Sequence, residues 1–238
     1  MFGGVMKKRT FPTELLYVLG ILFLALGTAF MERADFGLSM VVAPAYLLYL
    51  KCSEIFPALT FGTVEYLFQA FLLLVMIPVL RRFRISWLFS FVTAVLYGLA
   101  LDACMLLTAV LPVGHFALRL TWYLSGLLFC SAGVAMLFRS YLAPEVYELF
   151  VKELAGKTGK DIGKVKVGYD CVSCAVAVVL SFCFFGLWHF EGVKLGTVLC
   201  AFVNGHIIGF IGRVMDKKLQ FKDALPLRKY FEKEATVC

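Results

Sequence analysis

Six long apolar runs leave this chain few ways to fold. They lie at Leu15–Met31, Tyr66–Leu80, Trp87–Leu101, Leu120–Phe138, Cys171–Trp188 and Leu195–Val203, the last continuing through Asn204 and His206 to Gly212. Allowing one polar residue in each, every run reaches or approaches the roughly 20 residues that a helix needs to cross a ~30 Å hydrocarbon core. In such a core each backbone N–H and C=O must be satisfied within its own segment, so the expected elements are helices. Composition agrees: of 238 residues 61% are hydrophobic and 16% charged, against about half and about a quarter in soluble domains. The expected class is an all-α integral membrane protein with six transmembrane helices.

The sign of the loops orients those helices. With the N-terminus inside, Lys7, Lys8 and Arg9 face the cytoplasm, followed by Arg81, Arg82 and Arg84, then Lys152, Lys157, Lys160, Lys164 and Lys166. Arg213, Lys217, Lys218, Lys222, Arg228, Lys229 and Lys233 complete the set, so 18 of 23 basic residues are cytoplasmic. The expected location is the bacterial cytoplasmic (inner) membrane, multi-pass, with both termini cytoplasmic. The first basic-then-apolar stretch also has the form of a secretory signal, but cleavage is not expected, because a later segment matches it. A net charge of +7 without a basic, aromatic-interleaved stripe outside the apolar runs gives no nucleic-acid partner. The lipid bilayer is the expected partner, and a homodimer is left open.

Most of the eight cysteines fall in or near the runs. Cys171 and Cys174 form a C-x-x-C without a second pair or a histidine at zinc spacing, so neither a metal site nor a structural disulfide is expected. No cofactor is implied either. "GKTGK" lacks the glycine spacing and the Lys-Ser/Thr of a phosphate loop.

One interruption recurs. "GTAFMER" ends the first run and "GVAMLFR" the fourth, aligning Gly27 with Gly133, Ala29 with Ala135 and Arg33 with Arg139. Next, "FGTVEYLFQ" aligns with "IGKVKVGYD", placing Gly62 on Gly163, Glu65 on Lys166 and Gln69 on Asp170. "LYGLALD" aligns more weakly with "VNGHIIG", Gly98 opposite Gly205. Three matches in one order indicate a repeat. Each copy holds three spans, an odd number, so the copies are expected to be inverted. The layout is a cytoplasmic N-terminus (1–14), two inverted three-helix repeats (15–111 and 112–215) and a cytoplasmic tail (216–238). Interrupted or re-entrant segments follow helices 1 and 4, the first at "MERADFG".

The segments "GTAFMERADFGLS", "FGTVEY" and "KVKVGYD…LGTVLCAFVNGHIIG" resemble the YczE/YitT-like bacterial integral membrane protein family over nearly the whole chain. That resemblance implies six helices in a bacterial inner membrane and names no substrate. Gly37 is followed by Leu38 and Ser39 rather than by the proline and tryptophan usual there, so no loop site is carried over.

Charges at bilayer depth cost at least ~2.5–3.5 kcal/mol and turn towards partners in the bundle. Candidate substrate or gating residues are therefore Arg33, Glu65, Gln69, Asp102, Arg139, Lys166, Asp170 and Asn204. Expected pairs are Arg33 with Glu65 or Asp102 towards the outer face, and Asp170 with Arg139 or Lys166 towards the inner one. Lys166 and Glu65 either snorkel or turn inward. His206 is expected to bond a neighbouring helix, and Gly205, Gly209 and Gly212 to pack closely against one. "APEVYELFVKELAGKTGKDIGK" is amphipathic, with Val146, Leu149, Phe150 and Leu154 on one face and Glu145, Glu148 and Lys152 among its polar residues. It is expected on the cytoplasmic surface or below the bundle.

Inverted repeats with interrupted helices point to a secondary transporter that moves a small polar or charged solute by alternating access. The alternative is a non-transporting regulatory or assembly protein, or a solute-binding subunit of a larger transport complex. No nucleophile with a base, metal cluster or acidic motif supports an enzyme.

Overall fold

The computed structural model describes residues 9–160, 162–186, 192–224 and 226. Lys7, Lys8, Trp188, Arg228, Lys229 and Lys233, named above, lie outside the described residues. Eight helices are present among them: α1 (Thr13–Ala34), α2 (Ala43–Ser53), α3 (Phe61–Leu80), α4 (Trp87–Thr108), α5 (Phe116–Leu137), α6 (Val146–Thr158), α7 (Ile162–Phe185) and α8 (Leu195–Lys218). α1, α3, α4, α5, α7 and α8 have the length and hydropathy of membrane spans. Their outward faces carry large exposed apolar side chains, such as Leu67, Phe71 and Leu74 on α3 and Val172, Val176 and Val179 on α7. A surface so apolar on every side is suited to lipid.

The centre of the bundle is the pair α1 and α5, which cross antiparallel at four glycines. A Cβ on Gly126 would stand 2.7 Å from the Gly27 carbonyl oxygen, and one on Gly133 would stand 2.7 Å from that of Gly20. Only hydrogen at these Cα atoms permits such an approach, the device by which membrane helices gain van der Waals contact. α4 packs on α1 and α8 on α5, α3 packs on α4 and α7 on α8. At the α3–α4 crossing Gly62 and Gly98 are similarly pressed together. On α8 the expectation fails: a Cβ on Gly205 would meet nothing within 4 Å and one on Gly209 only the end of Arg213 at 3.7 Å, while Gly212 faces the Arg139 guanidinium. Small-residue spacing shows where helices can approach, and here Gly205 and Gly209 of α8 meet no other helix among the described residues.

α2 and α6 are too short to span. α1 stops where Asp35 adopts a left-handed conformation (φ 55°), and Gly37 (φ 104°) then turns the chain inward. Leu38, Met40, Val42, Ala43, Ala45 and Leu47 are buried, and exposure returns at Glu54–Pro57. Pro44 lies in the first turn of α2, where its missing N–H costs nothing. The segment after α5 behaves likewise: residues 144–151 are all buried and 156–160 exposed. Each short helix therefore starts in the interior and ends at the surface, α2 against α7 and α3, α6 against α3 and α7. This corrects the expected surface placement of α6. Val146, Leu149 and Phe150 pack with Leu73, Met76, Leu80 and Trp87 of α3 and α4, and its acidic residues are enclosed with polar partners.

Two short strands, β1 (Arg9–Pro12) and β2 (Leu219–Lys222), pair in parallel, Arg9 opposite Leu219 and Pro12 opposite Lys222. The tail after Asp216 is thus neither a further helix nor free at this point, and the two ends of the bundle lie together on one side of it. An even number of spanning helices is compatible with that arrangement.

Candidate functional site

Four of the eight candidate residues converge on the N-terminal end of α6. Glu65 and Gln69, one turn apart on α3, are both fully buried. Tyr147 Oη donates to Glu65 Oε1 (2.8 Å), and Gln69 Nε2 donates both to Glu65 Oε1 (3.3 Å) and to Glu145 Oε2 (3.4 Å). Gln69 Oε1 accepts from the Val146 backbone N–H (3.1 Å), one of the amides that open α6 without an intrahelical partner. The amide side chain thereby bridges two carboxylates and caps a helix. On the other side of α6, Lys166 Nζ donates to Glu148 Oε1 (3.0 Å) and ion-pairs with Asp170 Oδ1 (3.1 Å), its i+4 neighbour on α7. Lys166 is therefore turned inward rather than snorkelling, and so is Glu65.

Beside Glu145, Glu148 and Lys166 lies a small cavity of about 20 Å³, room for about one water molecule. Ser39, Val41 and Val42, just ahead of α2, line it together with Glu145, Tyr147 and Glu148 of α6, and with Thr28, Tyr97, Lys166 and Asn204. The starting ends of both short helices thus face one space, and helix N-termini carry partial positive charge. Thr28 Oγ1 and Tyr97 Oη are 2.9 Å apart, and Ser131 Oγ donates to Asn204 Oδ1 (2.7 Å). Glu145 and Glu148 are 2% and 4% exposed, yet Glu145 Oε1 and Glu148 Oε2 have no hydrogen-bond partner among the described residues; nor has Glu65 Oε2. Burial first, then the neighbouring Glu65 and Glu148 carboxylates, pushes the Glu145 carboxyl well above the usual carboxylate range.

Of the other candidates, Asn204 lines the cavity, while Arg33, Asp102 and Arg139 sit towards the ends of the bundle. Arg33 donates through Nε (3.1 Å) and Nη2 (2.7 Å) to the Leu111 carbonyl, so it fastens the α4–α5 loop and does not pair with Glu65 or Asp102. Asp102 accepts from Thr60 Oγ1 (2.6 Å) and from the Gly62 backbone N–H (2.8 Å), serving as a cap for α3. Arg139 forms a bidentate pair with Asp216 (2.7 Å and 2.7 Å) and donates to the Ala135 carbonyl (2.9 Å); Asp170 is left to Lys166. His206 is exposed, and its Nδ1 lies 2.9 Å from the Phe202 carbonyl of its own helix, not a neighbour's. In "MERADFG", Asp35 ion-pairs with Arg119 (3.0 Å) and with Lys194, joining α1 to α5 and to the start of α8. The charges of that stretch tie three chain segments together at one face.

Glu145, Tyr147 and Glu148 escaped sequence reasoning, which counted Glu145 and Glu148 as solvated charges. The available signal was the run Val146–Tyr147 and Leu149–Phe150–Val151, apolar on too many sides for a helix lying in the interface. A separate, mainly apolar groove of about 990 Å³ runs between α3, α6 and α7, from Pro44 and Phe68 to Lys160 and Lys164.

Six helices of spanning length around a buried polar cluster define a multi-pass α-helical membrane protein. Residues 11–213 match DUF6198, a family of unknown function, and the chain belongs to that family. No curated protein and no solved structure matches it.

Proposed function

We propose that this protein is a secondary transporter of a small polar or charged solute, working by alternating access between two inverted three-helix repeats. One observation carries the reading: the N-terminal ends of two short helices, which follow the antiparallel α1 and α5, line one small cavity. Such a site between interrupted helices is where transporters of this construction hold their solute.

The packing supports the inversion. Exchange of α1–α4 with α5–α8 turns the α1–α4 contact into α5–α8, α3–α4 into α7–α8, α2–α7 into α6–α3 and α2–α3 into α6–α7, all of which occur. The same shift that carries Arg33 onto Arg139 carries Gly20 onto Gly126 and Gly27 onto Gly133. Under it the Gly20–Gly133 contact becomes Gly126–Gly27, the other close approach at that crossing. α2 and α6 are then re-entrant half-helices. The resemblance to YczE/YitT-like proteins, an inner-membrane location and cytoplasmic termini belong to the same proposal, supported by Arg81, Arg82, Arg84, Lys152, Lys157 and Lys160 on one face.

A thermal-shift screen of the purified full chain against small polar solutes tests the reading, because a ligand that binds the native state raises its apparent stability. A stabilising solute should also exchange across liposomes containing the protein, and Asp170→Asn should reduce that exchange without loss of folded protein. The second reading, a non-transporting regulatory or assembly protein or a solute-binding subunit, draws on the small size of the cavity. It takes over if a solute binds yet no liposome exchange occurs, or if no solute in a broad panel binds.

A further inference from the structure

Among the described residues, four carboxylates, Glu65, Glu145, Glu148 and Asp170, share this interior with one cation, Lys166. The lysine accounts for Glu148 and Asp170 through its two contacts of 3.0 and 3.1 Å. Glu65 and Glu145 share the Gln69 amide, and neither forms an ion pair among the described residues. Isolated buried carboxylates are too costly to remain ionised, and each costs several kcal/mol even after relaxation. A cavity of about 20 Å³ holds too little water to solvate them. Tyr147 and Gln69 donate to this pair, but Glu65 Oε2 and Glu145 Oε1 have no hydrogen-bond partner among the described residues.

The environment of Glu145 is acidic on every side but one. Tyr17 of α1, Tyr97 of α4 and Cys130 of α5 face it, as do Glu65 of α3 and Tyr147 and Glu148 of α6, while Lys166 of α7 is the opposing charge. Among the described residues no three histidine, cysteine or acidic side chains form a donor set for a metal ion. The cation that suits two buried glutamates bridged by one amide, each keeping an oxygen with no hydrogen-bond partner among the described residues, is the hydrogen ion.

We propose that the coupling ion of this transporter is the proton, carried by Glu145 and exchanged with Glu65 across the Gln69 bridge. Uptake forms one O–H bond on Glu145 Oε1 and removes one negative charge. Release breaks that bond and returns the proton to water on the side then open. The proposal rests on the transporter reading, but its failure is distinguishable: solute exchange that ignores a pH gradient removes the proton and leaves the transporter.

The test is the melting temperature of the full chain in detergent from about pH 5 to about pH 9, in choline, sodium or potassium chloride at equal ionic strength. A carboxyl whose folded-state affinity for protons is raised gives stability that is present at low pH and lost as pH rises through its folded value. The parent's melting temperature should therefore fall across this range, alike in the three salts. Glu145→Gln, which fixes the neutral form, should keep the low-pH value and lose most of the slope. An unchanged slope in Glu145→Gln overturns the proposal, and so does stabilisation by sodium or potassium that this substitution abolishes. A measurement independent of any variant is the infrared carbonyl stretch of a protonated carboxylic acid. It must be present in the parent near neutral pH and disappear on alkalinisation; its absence rejects proton storage.

Discussion

Replacing Gly27 by alanine probes the crossing on which the bundle is hung. The added Cβ would lie 2.6 Å from the Cys130 backbone nitrogen and 2.7 Å from the Gly126 carbonyl oxygen, about 1 Å inside the separation at which such atoms attract. Both obstacles are backbone atoms, so no side-chain rotation relieves them and α1 and α5 must part. Overpacking of this kind costs about 1–3 kcal/mol, and because parting also loosens the Gly20–Gly133 approach the upper end applies. Alanine recovers about 1 kcal/mol of helix propensity, leaving a net loss of about 2 kcal/mol. At roughly 2–4 °C per kcal/mol for a chain of this length, the melting temperature should fall by about 4–8 °C. Gly205→Ala is the control: it gains the same propensity and meets nothing within 4 Å, so its melting temperature should hold or rise. Thermal unfolding of detergent-purified protein, followed by fluorescence-detected size exclusion, reads both. Equal behaviour of the two variants would refute the α1–α5 crossing, and a large drop for Gly205→Ala alone would place a second copy of the chain against α8.

Three further outcomes follow from single contacts. Lys166→Met removes the cation shared by Glu148 and Asp170 and should cost about 3–5 kcal/mol; adding Glu148→Gln and Asp170→Asn to it should restore most of the lost melting temperature. Tyr147→Phe deletes the 2.8 Å hydrogen bond to Glu65, and a loss of about 1.5–3 kcal/mol is expected in the same assay if that carboxylate is ionised, less if it is protonated. Arg139→Ala breaks a partly exposed pair with Asp216, 54% exposed at the carboxylate, and should change stability by about 1 kcal/mol or less.

The spans were legible because hydropathy is a property of each segment alone: length and composition suffice for a helix that satisfies its own backbone. Gly27 and Gly133 stood out as mates in the repeat, but their contacts with Gly126 and Gly20 did not. Pairing between distant segments was not legible. Lys166 finds Glu148 from another helix, and Arg139 finds Asp216 rather than Asp170, choices made by helix rotation that sequence spacing does not encode. Glu145 and Glu148 were assigned to water because charge in a short amphipathic stretch is normally solvated, whereas here an apolar run carries them inward. The β1–β2 pairing joins four residues at each end of the chain, too short a pattern to stand out from a loop.

That pairing bears on how the molecule is made. Residues Arg9–Pro12 leave the ribosome first among the described segments, yet their strand partner, Leu219–Lys222, emerges only after all six long helices. Until then the edge of the first strand stays open to any other extended segment. The clasp closes only when both ends arrive on the same side, so a chain that skips or adds one crossing during insertion cannot fasten it. Strand closure near the termini is in that sense a parity check on the number of long helices laid down between the two strands.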